Sequence, residues 1–174
     1  MELLELMRHR RSIRNFTDEA VTDEQLNKVL EAGLLSASGK ARRPWEFIVV
    51  RDKETLKKLV ECRNGGSASL VEANVAIAVV ADTEKTDVWT EDASIAMANM
   101  MLEAENLGLG CCWVQGRLRE AVDGRSTSDF TRDILGYPES YELEAILALG
   151  VAESHPGAHS KDELELDKIH NEKF

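Results

Sequence analysis

The chain has 174 residues, 43% hydrophobic and 30% charged, with a formal charge of −11. That is enough chain for one domain with a core of its own, and the composition excludes a disordered or fibrous protein. The longest uninterrupted apolar run, residues 75–81, is far short of the ~20 residues a membrane span needs, so no membrane partner is expected.

The first residues lack a basic start, an apolar stretch and a small-residue cleavage site, so no targeting peptide is expected. Cys62, Cys111 and Cys112 cannot all pair within one chain, which favours a reducing, cytoplasmic setting. Charge is unevenly placed. Residues 1–43 hold 8 basic and 7 acidic side chains, whereas residues 44–174 hold 13 and 25. The early cations form two clusters: Arg8, Arg10, Arg11 and Arg14, then Lys40, Arg42 and Arg43. Guanidinium groups gathered this way suit a small phosphorylated ligand, the alternative being a solvated face balanced by nearby Glu. The overall negative charge opposes a nucleic-acid partner.

In chain order, residues 2–9 read as a short helix with Leu3, Leu6 and Met7 on one stripe. Thr22 and Gln25 form a capping box for a helix running to about Ala37, with Leu26, Val29, Leu30 and Leu34 on its apolar face. Residues 38–44 are a loop and 46–51 a strand; Asp52 caps a helix through Leu59 to about Cys62. Residues 64–67 break the chain, and 74–81 form a strand whose lack of alternation predicts burial on both faces. Residues 87–107 form a long helix. No residue from 93 to 102 is charged, so that stretch should be buried all round, with a partner subunit completing its cover. Ala93, Ala96, Ala98 and Ala104 would let a second backbone come close. A short strand at 111–114, a helix from Ser128 or Asp129 to about 136–138, and a strand at 142–151 follow. The polar residues after Val151 could span ~75 Å when extended, enough to cross a second subunit. No repeat or boundary divides the chain: one domain, 1–174, with 152–174 as an extension.

Several chemistries find no support. Gly108 and Gly110 follow a helix and precede a strand, the wrong order for a dinucleotide fingerprint. His155 and His159 have no neighbouring Cys or carboxylate pattern, so no metal is expected. Cys111 and Cys112 read as inert thiols in an apolar strand. Redox or transfer chemistry would therefore need a cofactor.

The stretch Arg10-Arg11-Ser12-Ile13-Arg14-Asn15-Phe16 after a short helix resembles the nitroreductase family of FMN-dependent oxidoreductases. Ser36 to Val49, with Pro44-Trp45, resembles the family's loop leading into a strand. Asp92 through Asn99 to Trp113, and Ile134-Leu135-Gly136-Tyr137-Pro138 followed by Ala148-Leu149-Gly150, resemble its central helix and closing elements, in family order. The resemblance implies an α+β fold, a mixed and mostly antiparallel sheet flanked by helices. It also implies a homodimer built on the long buried helix, with FMN at each interface site and the C-terminal extension reaching over the partner. Arg10 and Ser12 match the phosphate and ribityl end, with Arg11 in the same turn as a backbone contributor; Arg14 matches the cation near flavin N1 and O2, and Ser38, Gly39 and Arg43 the loop that crosses to the partner's flavin. Val114, Gln115 and Gly116 match a stretch whose backbone amides face the flavin, one of them directed at N5. His159 and Lys161 stand for the late basic residues on the phosphate. No side chain is assigned as catalytic acid or base: the flavin carries the chemistry, tuned by Arg14 and the Gln115 backbone.

The chain departs from many relatives at Ala41 and Arg43, and is shorter where substrate-covering helices often sit. The resemblance implies electron transfer from NAD(P)H through FMN to a small-molecule acceptor such as a nitroaromatic, quinone or activated alkene, by ping-pong. Two other readings stay open: a flavin-handling protein or flavoenzyme of this fold using another donor, and a non-catalytic phosphate-binding module.

Overall fold

The computed structural model describes residues 2–174. Helix α1 spans Leu3–His9, α2 Asp23–Leu34, strand β1 Trp45–Val50, α3 Lys53–Leu59, α4 Ser69–Glu72 and β2 Val75–Asp82. After these come α5 at Trp89–Asn106, β3 at Gly110–Gln115, α6 at Thr127–Leu135 and β4 at Tyr141–Gly150. The four strands form one antiparallel sheet in the order β1-β2-β4-β3, so the predicted fold class holds.

Strand β2 shows why the sequence lacks alternation. Its odd residues, Val75, Ile77, Val79 and Ala81, enter a core with Leu26 and Val29 of α2 and Ala93, Met97 and Met100 of α5. Its even residues, Ala76, Ala78 and Val80, enter a second core with Leu56 and Leu59 of α3, Leu70 of α4 and Phe130 of α6. A pleated strand sends successive side chains to opposite faces, and helices cover both here.

The predicted caps at Thr22 and Asp52 are present: Thr22 and Gln25 form the reciprocal box, and Asp52 accepts from Thr55 N–H at 2.8 Å. Two boundaries differ from expectation. Helix α2 stops at Leu34 rather than near Ala37, because Ser36 turns its hydroxyl back onto Ala32 O (3.1 Å) and accepts from the Asn99 amide (2.8 Å). Helix α6 is capped by Ser126, not by Ser128 or Asp129. The Ser128 hydroxyl is already spent accepting from Leu143 N–H of β4 at 3.0 Å. Within one chain α5 is not covered all round. Glu91, Ile95 and Ala98 form an exposed stripe, with Leu102 half-buried on the same side.

Beyond β4, Phe16 pairs with Ala152, Arg11 donates to Gly157 O (2.9 Å) and His159 N–H donates to Arg8 O (2.9 Å). The first part of the extension is therefore held on its own N-terminal segment, while residues 160–174 are exposed. Among the described residues, no helix is long and apolar enough to cross a membrane.

Candidate functional site

Residues 10–14 leave α1 in an extended run beside the edge strand β3. Ser12 pairs in parallel with Cys111, and Ile13 N–H donates to Cys111 O at 2.8 Å. Extended backbone alternates its side chains: Ile13 is buried, so Ser12 and Arg14 face outward. Two hollows meet at Arg14. One, of about 360 Å³, is lined by Arg14, Asn15, Gly66, Ala68, Ser69 and Glu72. The other, of about 310 Å³, is lined by Ser12, Ile13, Arg14, Asn15, Ser154 and Pro156. Arg10 Nη1 is out of solvent and has no acceptor among the described residues. A buried guanidinium N–H without an acceptor is costly, and an oxyanion would satisfy it.

The end of β3 supplies the second element. Gly116 N–H donates to Glu144 O on β4 at 3.0 Å, while Cys111 O faces the other way, to Ile13. Main-chain groups alternate edges along an antiparallel strand, so Trp113 and Gln115 turn theirs to the open edge. The Gln115 side chain is fixed by accepting from Trp113 Nε1 (2.7 Å) and donating to Arg117 O (3.1 Å). Val114 is buried beneath. Gly116 is required by space: a Cβ there would sit 2.5 Å from Leu143 Cδ2 and 3.3 Å from Glu144 O.

The third element is the loop after α2. Ser38 accepts from Arg43 N–H at 3.0 Å, and Asp92 Oδ1 accepts from Gly39 N–H at 2.8 Å. Lys40, Ala41 and Arg43 have φ of 53°, 55° and 46°. Side-chain-bearing residues in the left-handed region cost roughly 1–2 kcal/mol each, so the surrounding contacts impose this shape. Within one chain the loop does not join the Arg10 turn. Gly39 is held by Asp92 near the start of α5, whereas His9 is held by Glu105 near its end. From 92 to 105 is 13 residues of one helix, roughly 20 Å at about 1.5 Å per residue.

The remaining predicted residues lie elsewhere. The Arg11 guanidinium ties down the tail at Gly157 O. His159 is exposed, hydrogen-bonds Glu163 through its ring, and lines an apolar hollow with Leu4, Met7 and Leu164. Lys161 stands exposed in a short 3-10 turn, Lys161–Glu163. Neither lines the hollows at Arg14.

Sequence reasoning missed Asp92 and Glu144. Both are buried carboxylates with one oxygen lacking a partner among the described residues. Burial pushes the Glu144 carboxyl above its ordinary range, against smaller lowering by its bond from Ser94 Oγ (3.2 Å) and by Arg117. The available signal was an acid set inside an otherwise apolar strand or helix. Also missed was a group formed by His9, Glu105 and His155. The partners of His155 come from α1 and α5, not from neighbouring sequence.

A sheet with helices on both faces, an N-terminal cationic turn laid on its edge strand and one long central helix define a three-layered α+β class. Comparison with known proteins narrows it. The Nitroreductase family profile matches residues 7–81 and 61–151, and the chain belongs to that family. It is 35% identical to an Archaeoglobus fulgidus protein provisionally named an NADH dehydrogenase/NAD(P)H nitroreductase, over 99% of both chains. An FMN-dependent nitroreductase from Clostridium difficile superposes with a TM-score of 0.96 at 42% identity, covering 98% of this chain and 99% of that one. A Desulfovibrio desulfuricans protein, provisionally a nitroreductase and solved in complex with FMN, superposes with a TM-score of 0.80 at 29% identity, covering 100% of this chain and 98% of that one.

Proposed function

We propose that the protein is an FMN-dependent oxidoreductase that takes electrons from NAD(P)H and delivers them, by ping-pong, to a small acceptor such as a nitroaromatic, quinone or activated alkene. The observation that carries this reading is the outward-facing Ser12 and Arg14 lining a hollow on the same extended run that begins with Arg10, whose Nη1 has no acceptor among the described residues. FMN, when bound, supplies the hydride and electron chemistry at N5 that no side chain of the chain supplies. Arg10 and Ser12 hold the phosphate end, and Arg14 places a fixed cation where reduced flavin is negative, favouring that form. The Gln115 main-chain N–H, on the open edge of β3, is the donor aimed at N5. Gly116 lets β3 close onto Leu143 and Glu144 O, which holds the adjoining Gln115 in place.

The protein works as a homodimer. The exposed Glu91, Ile95 and Ala98 stripe on α5 supports this, as does the distance between the Ser38–Arg43 loop and the Arg10 turn of the same chain. The loop serves the partner's flavin, and residues 160–174 reach over the partner from the anchor at His159. Three buried free thiols suit a reducing cytoplasm.

The test is the visible spectrum of the purified protein, repeated after anaerobic NADPH and NADH. Flavin bands that bleach are the expected result, and the rates rank the donors. Bands that persist would replace nicotinamide with another electron donor or a flavin-handling role. A protein that stays colourless with added FMN would overturn the reading of Arg10, Ser12 and Arg14.

A further inference from the structure

We propose that His9, Glu105 and His155 form a binding site for a divalent transition metal of the zinc class, which fastens the C-terminal extension to the helical body. Three segments far apart in sequence converge there: the end of α1, the end of α5 and the tail beyond β4. One donor atom from each lies within 4.8 Å of the others. His155 Nε2 is 3.6 Å from Glu105 Oε1, and His9 Nδ1 is hydrogen-bonded to the same oxygen. His155 Nε2 is buried and has no hydrogen-bond partner among the described residues.

The donor chemistry sets the class of ion. Two imidazole nitrogens and one carboxylate oxygen suit zinc and its first-row neighbours, and disfavour calcium and magnesium, which take oxygen ligands. A tetrahedral ion with bonds of about 2.0–2.1 Å holds its donors about 3.3–3.4 Å apart. The His155–Glu105 separation is close to that already. The ring of His9 has to move outward, and its side chain, 43% exposed, has the room. The two rings stack at 4.3 Å, so that movement also opens the stack. His155 Nδ1 accepts an exposed bond from Gly157 N–H at 3.1 Å, which places the ring proton on Nε2. Metal capture at Nε2 moves the ring proton to Nδ1 and hands the Gly157 N–H to solvent. Three protein ligands leave a fourth position for water.

The site is separate from the proposed flavin pocket in its ligands but shares its scaffold. His9 precedes Arg10, and His155 lies between Ser154 and Pro156, which line one of the hollows at Arg14. A metal would hold the tail against that hollow.

The experiment uses the untagged full chain, Zn²⁺ in competition with a chromogenic chelator, and Co²⁺ read by its visible d–d bands. One ion per chain is expected, with tetrahedral-type Co²⁺ bands and slower cleavage of the tail by added protease. His155→Ala, a change in the tail that leaves the core intact, should weaken Zn²⁺ binding at least tenfold and abolish the protection. His9→Ala should do the same, while His159→Ala and His170→Ala should not. No stoichiometric binding at neutral pH would overturn the proposal, and so would binding that survives His155→Ala.

Discussion

Gly116→Ala tests whether the close approach of β3 and β4 at the site is as tight as the structure shows. The added Cβ would meet Leu143 Cδ2 at 2.5 Å, Leu143 Cγ at 2.9 Å and Glu144 O at 3.3 Å. Leu143 is only 1% exposed, and its N–H is held by Ser128 Oγ at 3.0 Å, so it cannot swing into solvent. Overpacking of this kind costs about 1–3 kcal/mol. If Gly116 backs away instead, the bonds from Gly116 and Arg117 N–H to Glu144 O, at 3.0 and 2.9 Å, are lost. Each is worth about 0.5–1.5 kcal/mol net, so either route costs a similar amount. For a chain of this size the melting temperature should fall by roughly 2–12 °C, from about 2–4 °C per kcal/mol. Because Gln115 precedes the shifted residue, anaerobic stopped-flow reduction of the bound flavin should slow as well. Leu143→Ala removes the obstructing atoms, so in the double variant the cost of Gly116→Ala should shrink, a coupling a double-mutant cycle measures. A Gly116→Ala chain that melts with the parent, its effect simply adding to that of Leu143→Ala, would refute the reasoning.

Three more outcomes follow from the same chemistry. Glu144→Gln should stabilise the fold at neutral pH, because burial raises this carboxyl above its ordinary 4.5 and ionising it in the fold costs stability. The penalty grows as pH rises through 4.5 toward the raised value and is absent below 4.5, so the gain over the parent in urea unfolding should vanish in acid. Burial pushes the Cys62 and Cys111 thiols up to about 12. Iodoacetamide at pH 8 should therefore modify both roughly a thousandfold more slowly in the native chain than in urea, where the ordinary value near about 8.5 returns, as peptide mass spectrometry can read. Arg14→Ala should leave FMN bound but lower its reduction potential and slow its reduction; an unchanged potential in spectroelectrochemistry would remove the role given to Arg14.

The elements were legible because local pattern decides them. Seven uninterrupted apolar residues marked the central strand, Thr22 with Gln25 marked a helix start, and the Arg10–Arg14 turn was visible through its family resemblance. What stayed hidden depends on partners distant in sequence. Ser128 could not be discounted as a cap without knowing that β4 claims its hydroxyl, and Ser36 could not be seen to stop α2 without Asn99. His9 and Glu105 meet across 96 residues, a contact no spacing rule reaches. The uncharged stretch of α5 was read as needing cover on every side, and the sheet and α2 provide most of it. The exposed remainder is small, yet it carries the argument for a partner.

In the homodimer proposed above, that remainder gives the partner its place. Asp92 holds the Ser38–Arg43 loop near one end of α5, and Glu105 holds α1, with the Arg10 turn behind it, near the other. Ala98 lies midway between them on the exposed stripe. In the proposed homodimer, a two-fold axis perpendicular to α5 at Ala98 would pair the helices in opposite senses and set each patch against itself. The loop end of one protomer then comes alongside the Arg10 end of its partner, which no arrangement within a single chain allows. Ala98→Arg puts two cations face to face at that crossing without touching Arg10, Ser12, Arg14 or any core residue. The expected result is a folded monomer, by sedimentation and circular dichroism, that binds FMN at least tenfold more weakly than the parent. A folded monomer that binds FMN as tightly as the parent would show that one chain builds the whole site and would dismiss the crossing loop.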